Sequence, residues 1–88
     1  MKRYQCPCCD YYSLFMGGEY EICKVCFWED DGLDIDRPDV RSGPNRMTLR
    51  EGRSNFLELG ACDARSLAHV MHADERLWLR YRARQVKA

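Results

Sequence analysis

Cys6-Pro7-Cys8-Cys9 and Cys23-Lys24-Val25-Cys26 are the two stretches whose reading decides the fold of this chain. Each contains a C-x-x-C pair, and thirteen residues separate Cys9 from Cys23. A C-x-x-C turn aims two thiolates at one ion while its own amides can hydrogen-bond the sulfurs. Two such knuckles joined by a hairpin predict a closed tetrahedral site of four sulfurs. The expected ligands are Cys6, Cys9, Cys23 and Cys26, and the expected metal is Zn2+, one ion per chain. Iron in a rubredoxin-like site uses the same ligand set, and geometry does not separate the two metals. Four thiolates leave no coordination position for water, so the ion is expected to be structural and not catalytic. Disulfides, free buried thiols and a redox C-x-x-C are the competing readings.

Two cysteines fall outside this set. Cys8 lies between two ligands and could replace one, giving a C-x-C or C-C pair. The C-x-x-C register is preferred because it matches the second knuckle. Cys62 is most simply a small buried hydrophobe, with a reactive thiol as the alternative.

The thirteen-residue gap reads as a hairpin. Tyr11-Tyr12-Ser13-Leu14-Phe15 and Tyr20-Glu21-Ile22 are short β-compatible runs, and Met16-Gly17-Gly18-Glu19 lies between them. Its two glycines can supply the positive φ of a tight loop. Residues 29–46 hold acids, Gly32, Pro38, Gly43, Pro44 and Asn45, with no usable period, and read as an irregular loop. Thr48-Leu49-Arg50-Glu51 is a capping box, and the helix it opens is expected to run to about Gly60, a natural stop. Leu49, Gly52, Phe56 and Leu59 share one face of that helix. Gly52 costs about 1 kcal/mol of helix propensity, so a close approach to the ribbon is its expected compensation. A second helix is expected from about Ser66 to Val86, where Leu67, Val70, Met71, Leu77, Trp78 and Tyr81 follow helical spacing.

Together these readings give a small α+β metal-bound domain. A zinc-ribbon or rubredoxin-like β-hairpin with two C-x-x-C knuckles precedes an α-helix and a C-terminal amphipathic helix. Residues 1–65 form the ribbon domain, and residues 66–88 form the appended helix, either part of the same globule or an interaction element. A chain of 88 residues has a limited core, which a metal or disulfides commonly supplement. The apolar run of an export signal is not seen after Lys2 and Arg3, which points to a reducing cytoplasm where paired cysteines bind metal. No stretch approaches the roughly 18–20 apolar residues of a membrane span.

The net charge is zero, but it is unevenly spread. Residues 1–44 carry five Lys/Arg against nine Asp/Glu, and residues 45–88 carry nine against five, so the halves stand at −4 and +4. That permits an acidic face to meet a basic one and argues against a surface built wholly for nucleic acid.

The residues also resemble a known family. Cys6-Pro7-Cys8-Cys9 followed by Tyr20-Glu21-Ile22-Cys23-Lys24-Val25-Cys26-Phe27-Trp28-Glu29-Asp30-Asp31-Gly32 is similar to the small, mostly bacterial cysteine-rich CPCC proteins. The similarity continues through Asn45, Thr48-Leu49, Asn55-Phe56 and Gly60-Ala61-Cys62-Asp63, covering roughly residues 4–63. The resemblance implies a zinc-ribbon-like fold and assigns no activity. The segment after Ser66 lies outside the resembling pattern.

The remaining candidates each have a plain structural reading. Glu29-Asp30-Asp31, with Asp34 and Asp36, can hold Mg2+ or serve as acid and base. They equally form a solvated loop that caps amides and pairs with Arg37, Arg41 or helix arginines, and sequence adjacency alone favours that reading. Phe27-Trp28 is expected to pack over the metal site; exposed, Trp28 would anchor an interface. His69 and His72 have metal-sharing spacing but lack further ligands. Arg76, Arg80, Arg82, Arg84 and Lys87 suit either phosphate contact or a charged outer face.

The expected function is therefore a non-enzymatic protein-interaction module, with another protein or a second copy as partner. Docking is assigned to the acidic loop and to Leu77, Trp78 and Tyr81. An immunity or antitoxin-like role, in which the acidic loop blocks a basic partner, is a special case. A nucleic-acid-binding zinc ribbon and a carboxylate-dependent hydrolase or nuclease are the alternatives.

Overall fold

In the computed structural model, which describes residues 2–88, each C-x-x-C pair reverses the chain, and the segments on either side of it pair with each other. Around the first knuckle, Tyr4 and Leu14 exchange both backbone hydrogen bonds (2.7 and 3.1 Å), and the Cys6 amide donates to the Tyr11 carbonyl at 2.8 Å. Around the second, Ile22 bridges Glu29, the Cys23 amide donates to the Trp28 carbonyl at 2.9 Å, and the Asp30 amide donates to the Glu21 carbonyl at 2.9 Å. The expected pairing of Tyr11–Phe15 with Tyr20–Ile22 is thus replaced by pairing across each knuckle. A segment beside a tight turn meets its other flank at little loop-closure cost, and that proximity wins over the longer connection.

The strands with a continuous ladder lie inside the stretch expected to be an irregular loop. Strand β1 (Arg41–Ser42) pairs antiparallel with β2 (Met47–Thr48). The Asn45 side chain fastens this hairpin to the second knuckle. Its oxygen accepts from the Glu29 amide and its NH2 donates to the Glu29 carbonyl, both at 2.8 Å. A side-chain amide here replaces the missing peptide of a neighbouring strand.

Helix α1 (Leu49–Leu59) begins directly after β2. The capping box is formed: Thr48 Oγ1 accepts from the Glu51 amide, and Glu51 accepts from the Thr48 amide at 2.9 Å. The helix ends at Gly60, which has φ 87° and donates its amide to the Phe56 carbonyl at 2.8 Å.

The helix expected over Ser66–Val86 does not form. Short 3-10 turns cover Ala64–His69 and Glu75–Trp78, with Val70 extended between them (φ −110°, ψ 160°). Residues 79–88 have no helix. The backbone of this segment donates elsewhere: the Met71 amide to the Lys24 carbonyl at 3.0 Å, and the Arg84 amide to the Asp10 carboxylate at 2.7 Å. Arg80 accepts from the Tyr12 amide at 2.9 Å, and Tyr81 bridges Tyr11. These distant partners replace the bonds a helix would make internally. Among the described residues, no helix is long and apolar enough to cross a membrane.

The core is Leu14, Val25, Trp28 and Leu49 gathered around buried cysteines. Trp28 is fully buried and packs on Gly52 of α1. A β-carbon at Gly52 would stand 2.8 Å from Trp28 Cζ3 and 3.4 Å from Cys8 Sγ. The expected close approach of helix and ribbon is therefore a helix backbone laid against an indole ring. Gly52→Ala should destabilise the protein by about 1–3 kcal/mol through overpacking, outweighing its gain in helix propensity. Thermal or denaturant melting checks this; a stabilised variant would show that the indole can yield.

Candidate metal centre and its buried ion pair

The two knuckles share one backbone device. The amide four residues after the first cysteine returns to that cysteine's carbonyl, Asp10 to Cys6 at 3.0 Å and Phe27 to Cys23 at 2.8 Å. Both donors take the left-handed conformation, Asp10 at φ 69° and Phe27 at φ 71°. This curls each C-x-x-C so that its two thiols face inward. The Val25 amide donates to Cys23 Sγ at 3.3 Å, an amide–sulfur bond that sits well with a metal-bound thiolate.

The four sulfurs of Cys6, Cys9, Cys23 and Cys26 lie within 4.8 Å of one another, and all four residues are buried. Cys6 Sγ is 3.7 Å from Cys26 Sγ, and Cys9 Sγ is 3.8 Å from Cys23 Sγ. Disulfide sulfurs stand at about 2.0 Å, so these distances belong to free thiols around a common centre. Four inward-facing sulfurs in a dry core fit a single tetrahedral ion. Among the described residues, this is the only group of three or more His, Cys, Asp or Glu placed to hold a metal.

The thiols differ in proton affinity. Burial pushes those of Cys6, Cys9 and Cys26 well up from the ordinary range. Cys23 moves well down, because hydrogen bonds from Cys26, Cys6 and Cys9 favour its thiolate, and Ser13 adds to them. The Ser13 hydroxyl lies 2.9 Å from Cys23 Sγ.

Cys8 and Cys62 are buried but stand outside the group. Cys8 packs on the Gly52 side of the core. Burial pushes the Cys62 thiol up to about 11, which keeps it protonated and a poor nucleophile at neutral pH. Trp28 is fully buried in the same core cluster as the four cysteines and lies on its helix side, against Gly52.

A second buried centre was not anticipated from the sequence. Asp10 is almost fully buried, and Arg53 of α1 grips it with two nitrogens, at 2.8 and 2.9 Å. Arg84 adds its backbone amide at 2.7 Å and Nε at 2.9 Å. The same arginines reach the knuckle: Arg53 donates to the Pro7 carbonyl at 2.6 Å and Arg84 to the Cys6 carbonyl at 3.2 Å. Burial alone would lift the Asp10 carboxyl, but Arg53 and Arg84 outweigh it and hold the group below the usual carboxylate range. One signal was available in the sequence. Asp tolerates the left-handed conformation that the residue after a knuckle must adopt.

The acidic loop does not converge on a cation. Asp30 accepts from the Gly18 amide at 2.6 Å, and Asp31 accepts from the Ser42 hydroxyl at 2.7 Å. Asp34 accepts from the Ile35 amide at 2.7 Å and pairs with Arg84 at 3.3 Å. These carboxylates cap and brace loops, in line with the plain structural reading. His69 stacks on Phe27, with centroids 5.1 Å apart, and does not join His72 in a metal site. Of the basic tail, Arg76 lies over the Tyr11 and Phe56 rings and Arg80 over Tyr12, while Arg84 is half-buried and paired with Asp10.

A family model described as "Cysteine-rich CPCC" matches residues 4–76, which extends the similarity past Asp63 to Arg76. No curated protein and no solved structure matches the chain significantly.

Two substitution sets follow from this geometry. Asp10→Ala leaves two guanidinium groups facing an uncompensated buried space and should cost about 3–5 kcal/mol. Asp39→Ala, which breaks only the exposed pair with Arg50, should leave the melting temperature unchanged within error. Equal effects in the two melts would refute the ranking. Among the cysteines, Cys8→Ser and Cys62→Ser should retain full metal occupancy, whereas serine at position 6, 9, 23 or 26 should lose it. Elemental analysis of each purified variant decides the register.

Proposed function

The chain belongs to the cysteine-rich CPCC family, and from that premise we propose that it is a zinc-ribbon protein whose single Zn2+ is structural and whose role is non-enzymatic docking to another protein. The observation that carries the reading is the closed and buried group of four cysteine sulfurs. Zinc is the ion that such a site most commonly holds, and it leaves no position free for water or substrate. The backbone geometry repeated at the two knuckles supports the ribbon assignment. A reducing cytoplasm is the compartment that suits six free cysteines.

The docking role is supported by what the fold leaves outside. Trp78 is 92% exposed and Leu77 79%, on a turn followed directly by residues bonded to the first knuckle. A large aromatic held out by an anchored backbone gives up little conformational freedom on binding and suits an interface anchor. Tyr81 is partly used at home, against the Tyr11 ring at 4.7 Å. The acidic loop has less to offer a partner, because the carboxylates of Asp30, Asp31 and Asp34 are engaged with loop amides, the Ser42 hydroxyl and Arg84. That weighs against its use as a decoy for a basic partner and also against a carboxylate-based hydrolase.

Elemental analysis of protein purified without added metal should find one zinc per chain. A strong chelator should then unfold the domain. Apparent zinc affinities of about 10–16 kcal/mol in small fingers exceed or match the roughly 5–15 kcal/mol of a typical domain's stability. Iron in place of zinc, with the characteristic visible absorption of a ferric thiolate centre, would replace the metal assignment. Well-folded metal-free protein would overturn it.

A further inference from the structure

The side of the molecule that carries Trp78 gathers cations from both halves of the chain, three of them from the half that is acidic overall. Two depressions, of about 540 and 200 Å³, share Arg3 and Leu79 in their walls. Their linings hold Lys2, Arg3, Lys24 and Arg80, all exposed, and no aspartate or glutamate. Among the described residues, none of these four cations has a carboxylate within ion-pair distance, in contrast to Arg50, Arg53, Arg65 and Arg84. One oxygen of Glu21 accepts from the Phe15 and Met16 amides, at 2.8 and 2.9 Å, and the residue is not part of either lining. The smaller depression has an apolar side made by Phe15, Met71 and Leu79, and Trp78 stands at the edge of the larger one.

We propose that this cleft receives an acidic peptide segment of another protein, its carboxylates lying on Lys2, Arg3, Lys24 and Arg80 and an apolar side chain entering between Phe15, Met71 and Leu79. The inference rests on the protein-docking reading above and names the chemistry of the partner. Four unpaired cations around an apolar floor complement a chain that alternates acids with leucine-like residues. Single-stranded nucleic acid fits less well. It needs free ring faces for successive bases, and here Arg3 already covers Phe15 at 4.1 Å and Arg80 covers Tyr12 at 4.7 Å. Only Trp78 keeps an open ring. A second copy also fits less well, because three carboxylates of the acidic loop it would offer, those of Asp30, Asp31 and Asp34, are engaged within the chain.

The test is selection of random peptides displayed on phage against the zinc-loaded full chain, followed by titration of the winning synthetic peptides. Arg3→Glu, Arg80→Glu and Trp78→Ala change exposed side chains, and their zinc content and melting temperature should match the parent. The expected result is enrichment of Asp/Glu together with Leu, Ile, Met or Phe. Binding should weaken by about tenfold or more in each charge-reversal variant, and also in Trp78→Ala and at raised salt. If the winners lack acids, or ignore all three substitutions, the cleft is not the site, although docking elsewhere would still stand. A selection that enriches nothing overturns both the cleft and the docking reading. Tighter binding of a short oligothymidylate, lost in the same variants, would assign the cleft to nucleic acid. Concentration-dependent self-association lost in them would assign it to a second copy.

Discussion

Four sulfur atoms that must share a volume little wider than one ion are the constraint on which this structure depends. Bringing thiols so close inside a dry core has no merit as hydrophobic packing alone, since each would be better separated and surrounded by carbon. A bound cation would reverse that balance by turning the mutual repulsion of four thiolates into four bonds. The surroundings follow from the need to hold those sulfurs still. Asp10 and Phe27 adopt a conformation few non-glycine residues choose, Trp28 seals one side, and Gly52 gives up its side chain so that the helix can close over the indole.

The backbone of the knuckles sets a second demand, because carbonyls within the two turns take their donors from elsewhere in the chain. Pro7 is met by Arg53, Cys26 by the Cys62 amide at 2.8 Å, and Lys24 by the Met71 amide. The helix and everything after it therefore work as a belt around the two turns. Asp10 is the buckle: its carboxylate joins the first knuckle, α1 and the final extended segment through four hydrogen bonds of 2.7 to 2.9 Å. Buried ion pairs seldom add much net stability over apolar packing, and their value lies in permitting one arrangement only. Here that arrangement fixes the path of the residues after α1.

What could be read in the sequence was local. The two C-x-x-C pairs, the capping box at Thr48 and Glu51, the stop at Gly60 and the compromise at Gly52 all involve partners a few residues apart or a missing side chain. The helix expected over Ser66–Val86 had a satisfactory apolar period, yet the backbone bonds that decide the matter go to Lys24, Tyr12 and Asp10. Arg84 and Asp10 are 74 positions apart, and no periodicity reports such a contact. The hairpin between the knuckles failed for a related reason. Strand-like composition at Tyr11–Phe15 and Tyr20–Ile22 was real, but composition does not name the partner, and the turn built into each knuckle supplied a nearer one.

The two tryptophans occupy opposite extremes: Trp28 has no exposed surface and Trp78 has almost nothing else. Their light emission divides accordingly. The indole sealed against sulfur-rich core senses whether the four thiols are still assembled, while the one in water senses what comes to rest on the surface. Trp28 Nε1 has no hydrogen-bond partner among the described residues, so the buried indole should emit towards the blue, apart from its solvated counterpart. Loss of the four-cysteine core and any binding at Trp78 would thereby be recorded in separate parts of a single spectrum, with no added label.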